Sequence, residues 1–277
     1  MLNRNRRIHD YFKGKVVWIT GASSGIGRGL ALECAKAGAR LIISARRKAP
    51  LDELSEQLRG LPNRPQVAVI QLDITDHTSI AKKTEEAASI YGRIDMLINN
   101  AGISQRSLIK DLSYEVVDTV VRTDLLGVID LTLAVLKYMY KAECGHIVVT
   151  SSVMGKINTP FRSAYCAAKF GLHGFFSCLL AESANENIDV TVLVPGRVKT
   201  EISKNALNGK GIPQGFSDSG ISEGVRVEKI SPFILDAIAK RKFEYYFALT
   251  PLLRLGLFLN KFAPGVYRAL VSKVRVT

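Results

Sequence analysis

The chain has 277 residues, 38 Lys and Arg against 25 Asp and Glu, a net charge of +13, and 47% hydrophobic residues. The apolar share excludes a disordered chain, and the length suits one α/β domain with an ample core. The charge favours anionic ligands or an anionic membrane surface; nucleic acid is excluded as a partner because no nucleic-acid fold motif and no aromatic–basic interleaving occurs.

Residues 1–15, MLNRNRRIHDYFKGK, are basic with no apolar stretch behind the charges. They read as neither a signal peptide nor a membrane anchor. No run reaches the ~18 apolar residues of a membrane span. Cys34, Cys144, Cys166 and Cys178 show no CxxC and no metal spacing. They read as small core residues in a reducing compartment, which makes the cytoplasm the expected location.

Residues 16–19 read as a buried strand, followed by Thr20-Gly21-Ala22-Ser23-Ser24-Gly25-Ile26-Gly27 and a helix over 27–37. Such a turn brings backbone N–H groups and a helix N-terminus to a pyrophosphate. Gly21 makes the turn, Gly25 clears the phosphate path, and Gly27 lets helix pack on strand. The spacing is GxxxGxG, neither the general dinucleotide fingerprint nor a Walker loop, and by itself it also suits an ordinary strand–helix turn. Further strands are expected at 41–44, 67–72, 96–99, 146–150, 190–194 and 245–248. Helices are expected at 51–58, 79–91, 114–140, 164–184 and 231–239. This alternation predicts a Rossmann-type, doubly wound parallel sheet between two helical layers, with ligands beyond the carboxyl ends of the strands.

The strand ends carry the chemistry. After the second strand, Ala45 stands where an NAD site usually has an acid, and Arg46 follows; a cation suits a 2′-phosphate, or lies on a solvated basic loop. After the third, Asp73 suits an adenine amino group, and Asp76 a helix cap. Asn99-Asn100-Ala101-Gly102 ends the fourth strand and suits close backbone approach to a cofactor, or a plain turn. Ser152 follows the fifth. Thirteen residues later, Tyr165 and Lys169 lie one helical turn apart. An ammonium there stabilises a phenolate, so that Tyr165 can exchange a proton with a carbonyl or alcohol oxygen that Ser152 also contacts. Taken alone, YxxxK also describes an exposed helix face. Pro195-Gly196-Arg197-Val198-Lys199-Thr200 ends the sixth strand and suits a nicotinamide amide, or merely stops the strand. Residues 201–228, rich in Gly, Ser and Asn, read as a substrate lid. Residues 251–277 read as an amphipathic basic extension, with Leu252, Leu253, Leu255, Leu257, Phe258 and Leu259 set against Arg254, Lys261, Arg268, Lys273 and Arg275. It either lies on a membrane surface or packs at the cleft or at a subunit contact.

TGASSGIG, NNAG, a Ser thirteen before YCAAK, and PGRVKT come in the order found in the short-chain dehydrogenases/reductases, which residues 14–200 resemble. INTPFRSAY, EISKNAL and KFAPGVYRAL add a narrower likeness to the dehydrogenase/reductase member 7B branch, related to acyl-dihydroxyacetone-phosphate reductase. The resemblance implies NADPH-dependent reduction of a carbonyl, on a lipid-like or phosphorylated substrate, by a homodimer or homotetramer. A non-catalytic NADP-binding scaffold of the same fold is the alternative. It implies Ser152 as oxyanion partner, Tyr165 as acid, and Lys169 as partner of Tyr165 and ribose ligand. Gly21, Ser23, Ser24, Gly25, Ile26 and Gly27 would line the pyrophosphate, and Arg46 would hold the 2′-phosphate. Asp73 and Ile74 would meet the adenine, Asn100 and Gly102 the ribose, and Pro195, Val198 and Thr200 the nicotinamide end. The family's fourth catalytic residue is an Asn; Asp124 stands there, and is expected to act mainly through its backbone carbonyl. Surplus apolar residues, Val116, Val117, Val120 and Val121 on one helix and Phe170, Phe175, Phe176 and Leu179 on another, are expected to form the subunit contact.

Overall fold

The computed structural model describes residues 2–273. In chain order the first half holds α1 (Leu2–Phe12), β1 (Val16–Thr20), α2 (Gly25–Lys36), β2 (Arg40–Ala45), α3 (Lys48–Arg59), β3 (Val67–Gln71), α4 (His77–Tyr91) and β4 (Met96–Asn99). Next come α5 (Tyr114–Val121), a π turn (Arg122–Leu126), α6 (Gly127–Lys141), β5 (Gly145–Thr150), α7 (Ser163–Glu182), β6 (Ile188–Pro195) and β7 (Val198–Lys199). The chain continues through α8 (Ser219–Ser222), β8 (Val225–Arg226), α9 (Val227–Ala239), β9 (Glu244–Phe247), α10 (Pro251–Phe262) and α11 (Pro264–Val271).

Seven parallel strands form one sheet in the order β3-β2-β1-β4-β5-β6-β9. The order reverses between β1 and β4, which opens a crevice at their carboxyl ends. All of β1 is buried. Val17 and Ile19 join the core shared with α1, α2, α3 and α9. Val16 and Trp18 join the core shared with α4, α6 and α7. A strand covered on both faces needs apolar side chains at every position, hence the unbroken VVWI.

Two segments depart from the sequence-based reading. The N-terminus forms α1, with Ile8 and Phe12 buried in the core. Arg7 pairs with Asp236 on α9, and the Tyr11 hydroxyl meets His146 Nδ1 at 2.8 Å. Its apolar face is only Ile8, Tyr11 and Phe12, at i, i+3, i+4 spacing among charges, too short a pattern to stand out. The helix expected over 114–140 is interrupted by the π turn. Of its surplus residues, Val116 and Val120 are buried in a small core beneath the C-terminal helices, and on α7 Phe176 and Leu179 are buried beside the sheet; Phe170 is exposed. Four of the eight surplus residues are thus internal, and Val117, Val121 and Phe175 are half-buried.

The 201–228 segment folds back over the strand ends, pairing β7 with β8 and bridging Gln105 to Leu207. In the C-terminal extension, Thr250 caps α10 by accepting the Leu253 N–H at 3.3 Å, with Pro251 at the first helical position. Asn260 then donates to the Lys156 carbonyl, and Tyr267 to that of Asn158. The extension thus packs beside the crevice; Arg275 and the end of 251–277 lie outside the described residues.

Candidate active site

The strand ends open into a cavity of about 1340 Å³. Gly21 enters it with φ +62° and Gly25 with φ +55°, conformations in which a side chain is strained. A Cβ on Gly21 would sit 2.8 Å from Ala101 Cα, and one on Gly27 2.4 Å from the Gly21 carbonyl oxygen. The turn therefore needs glycine for close packing, and it leaves a bare cradle at the N-terminus of α2 that fits a dinucleotide pyrophosphate. Ser23, Ser24, Gly25 and Ile26 line it; Gly27 does not, because it faces Gly21 and Asn100. Asn100 ties the strand ends together. Its backbone N–H donates to Thr20 Oγ1 at 3.0 Å, and its Oδ1 accepts from Thr150 Oγ1 at 3.2 Å. Asn99 turns away and donates to Thr132.

Arg46 and Arg47 stand at one end of the cavity and make no ion pair among the described residues. Ile74 lines the wall, whereas Asp73 does not. Oδ1 of the Asp73 carboxylate accepts the Thr75 N–H at 2.9 Å and the Thr75 hydroxyl at 2.7 Å. Pro195, Val198 and Thr200 also line the cavity, and Thr200 reaches the glycine cradle, its Cγ2 3.1 Å from where a Gly25 Cβ would lie.

Ser152, Tyr165 and Lys169 share one wall. Ser152 Oγ accepts the Met154 N–H at 3.1 Å, so its own O–H is free to donate into the cavity. The Lys169 ammonium donates to the Thr150 carbonyl at 3.1 Å and lies 5.6 Å from the centre of the Tyr165 ring. It is also 3.1 Å from Asp124 Oδ2.

Asp124 is fully buried off the cavity wall, within the π turn, and its side chain is engaged as well as its backbone. Oδ1 accepts the Ile103 N–H at 2.7 Å while Oδ2 faces Lys169. A Cβ on Gly102 would come within 3.2 Å of Oδ2, so glycine there gives the pair its room. Burial pushes the Asp124 carboxyl above the ordinary carboxylate range, against the pull of Lys169 and the Ile103 N–H. Burial also opposes the Lys169 charge, but Asp124, and then Tyr165, outweigh it and hold the ammonium above its ordinary range. The two shifts point to different charge states. The ionised pair is the better description, because Lys169 faces two acceptors and Asp124 two donors.

The sequence reading missed a second charged group on the cavity wall. Arg106, Arg162 and Asp218 meet there, from the loop after β4, the start of α7 and the 201–228 segment. The only hint was an arginine three residues before Tyr165 in FRSAY.

The short chain dehydrogenase family profile matches residues 15–211. The Bos taurus dehydrogenase/reductase SDR family member 7B is 38% identical over 279 residues, which cover 97% of this chain and 84% of that protein. Its Xenopus tropicalis counterpart is 39% identical over 268 residues, covering 93% and 84%. Among solved structures, a short chain dehydrogenase/reductase from Burkholderia phymatum in complex with NAD matches with a TM-score of 0.81 at 22% identity, over 92% of this chain and 95% of that one. An alcohol dehydrogenase from Thermococcus sibiricus, complexed with 5-hydroxy-NADP, matches with a TM-score of 0.73 at 23% identity, over 86% and 99%. The structures bear on the fold alone; the profile and the member 7B relatives, spanning the glycine turn and the Ser152–Tyr165–Lys169 wall, place this chain in the short-chain dehydrogenase/reductase family of oxidoreductases.

Proposed function

We propose that the chain is an NADP-dependent reductase of a carbonyl group, able to run in the alcohol-oxidising direction. One observation carries the reading: Ser152, Tyr165 and Lys169 converge on one wall of a cavity whose other end is the glycine cradle and Arg46. Bound in that cradle, the nicotinamide cofactor supplies the hydride. The free O–H of Ser152 orients the substrate oxygen, and the Tyr165 hydroxyl gives that oxygen its proton. Lys169 favours the charge left on Tyr165 and keeps an N–H for a ribose hydroxyl. Arg46 supports the NADP choice, since a guanidinium matches a phosphate with two parallel hydrogen bonds.

A homodimer or homotetramer is supported by Leu126 and Leu133, one face of the π turn and α6, and by Phe170 on α7, which are 49%, 50% and 44% exposed. Peripheral membrane contact is supported by Leu252, Leu255, Phe258 and Phe262, exposed on α10 beside Arg254 and Lys261.

The test is NADPH oxidation over a panel of ketones that includes acyl-dihydroxyacetone phosphate, with Tyr165→Phe alongside. Turnover that falls at least about 10²-fold in the variant is expected. Tight NADPH binding with no turnover on any ketone would instead favour the scaffold.

A further inference from the structure

Arg106 and Arg162 approach one carboxylate. Arg106 donates to Asp218 Oδ2 through Nε at 2.9 Å and Nη2 at 2.7 Å. Its Nη1 is taken by Ser104 Oγ and the Gln105 carbonyl, both at 2.8 Å. Arg106 is therefore used on every nitrogen, and it anchors the 201–228 segment. Arg162 is not. Its Nη2 reaches the same Asp218 oxygen at 3.2 Å and its Nη1 reaches Thr159 Oγ1 at 3.5 Å. Among the described residues its Nε has no partner. A guanidinium carries five N–H donors, so most of this one is unspent.

Two cations on one carboxylate leave a surplus positive charge, and the three side chains are only 9%, 17% and 12% exposed. Burial, and then the neighbouring Arg106, pull Arg162 below the ordinary guanidinium range, and Asp218 compensates only in part. A buried charge in that condition is costly unless a further anion meets it. Arg162 sits at the start of α7, three residues before Tyr165, a rise of about 4.5 Å along the helix. It lines the same cavity as Tyr165 and Ser152. Beyond it the wall becomes apolar, with Met154, Ile157, Leu253 and Leu259.

We propose that Arg162 is the binding residue for an anionic group, a phosphate or a carboxylate, that the substrate carries close to its reacting carbonyl, with an aliphatic part lying on the wall made by α10. This rests on the reductase reading only for the word substrate; the anion site stands on its own geometry. Arg106 holds Asp218, and so the lid segment, while Arg162 keeps its remaining donors for the ligand. Its planar fork suits either oxyanion, and a lysine, a point charge without the fork, replaces it only in part.

The deciding experiment is calorimetric titration of the protein saturated with its nicotinamide cofactor, so that the glycine cradle is already filled. The probes are octyl phosphate, octanoate and octanol. Both anions are expected to bind at least tenfold tighter than the alcohol. Arg162→Gln should abolish most of that difference, and Arg162→Lys should restore part of it. Tighter binding of one anion than the other identifies phosphate or carboxylate as the natural group. Equal binding of anions and alcohol, no binding of any probe, or anion binding untouched by Arg162→Gln would overturn the proposal. Thermal unfolding and cofactor affinity of both variants serve as fold controls. A protein that binds the anions through Arg162 yet turns over no ketone would refute the reductase reading and leave the anion site standing.

Discussion

Lys169 Nζ lies 3.1 Å from Asp124 Oδ2, and both side chains are buried. Their backbones come together because the π turn carries Asp124 against α7 and the β4 loop. One carboxylate oxygen faces the Lys169 ammonium as an ion pair, and the other accepts the Ile103 N–H. An Asn offers one acceptor and one amide group, so either orientation sets its NH2 against a donor. Asp124→Asn is therefore expected to destabilise the protein by roughly 3–5 kcal/mol, the scale for removing one partner of a buried ion pair. Urea unfolding measures this. An unchanged midpoint would show that the side-chain pair adds nothing, in keeping with the backbone role that the family resemblance implies.

Arg46 is exposed at the end of β2. Removing it should weaken NADPH binding far more than NADH binding. A charge-assisted pair contributes on the order of 1.5–3 kcal/mol, so Arg46→Ala should cost roughly tenfold to a hundredfold in NADPH affinity. Fluorescence titration with both cofactors checks it, and equal affinities in the unmutated protein would remove the assignment.

His146 supplies a pH dependence. Burial first, then the Arg241 and Lys15 charges, push its pKa down from 6.5 to about 3. The folded protein keeps the ring neutral, bonded to the Tyr11 hydroxyl and to Thr191 Oγ1. Below pH 6.5 the unfolded chain binds a proton that the folded chain refuses. The stabilisation is thus complete above 6.5 and is lost as pH falls toward 3. Between pH 6.5 and 5 the loss should be about 2 kcal/mol. His146→Asn should be less stable at pH 7 but should lack that increment. An identical pH slope in variant and parent would argue against it.

Association is expected through the face bearing Leu126 and Leu133. Light scattering at micromolar concentration should show a dimer or tetramer, and Leu133→Glu should shift it toward monomer, because a charge in an apolar contact is left unpaired. A monomer in the unmutated protein ends this reading.

Membrane contact is expected through the exposed apolar face of α10. The full chain should co-sediment with vesicles containing anionic lipid more than with neutral ones. Replacing Phe258 and Phe262, 57% and 64% exposed, by Ser should reduce this without opening the cavity wall. If the parent protein stays in the supernatant with both vesicle types, the face has another use.

The sequence by itself determined the sheet and the strand-end chemistry. Strands buried on both faces are built from unbroken apolar runs, so VVWI, MLI and IVV stand out without any partner in view. The glycine turn and the Tyr165–Lys169 spacing are equally local, since a turn conformation and a helical repeat are properties of a few neighbouring residues. Tertiary structure alone decided which charges meet. Asp218 is 112 residues from Arg106 and 56 from Arg162 in the chain. It reaches them only because the segment after β7 folds back over the strand ends. Asp124 and Lys169 lie on separate helices, and no periodicity relates them. The π turn directs the Asp124 side chain toward α7. Whether a carboxylate is spent on Lys169 or leaves only its backbone to act depends on burial and donor geometry, which belong to packing and are written in no single stretch of sequence.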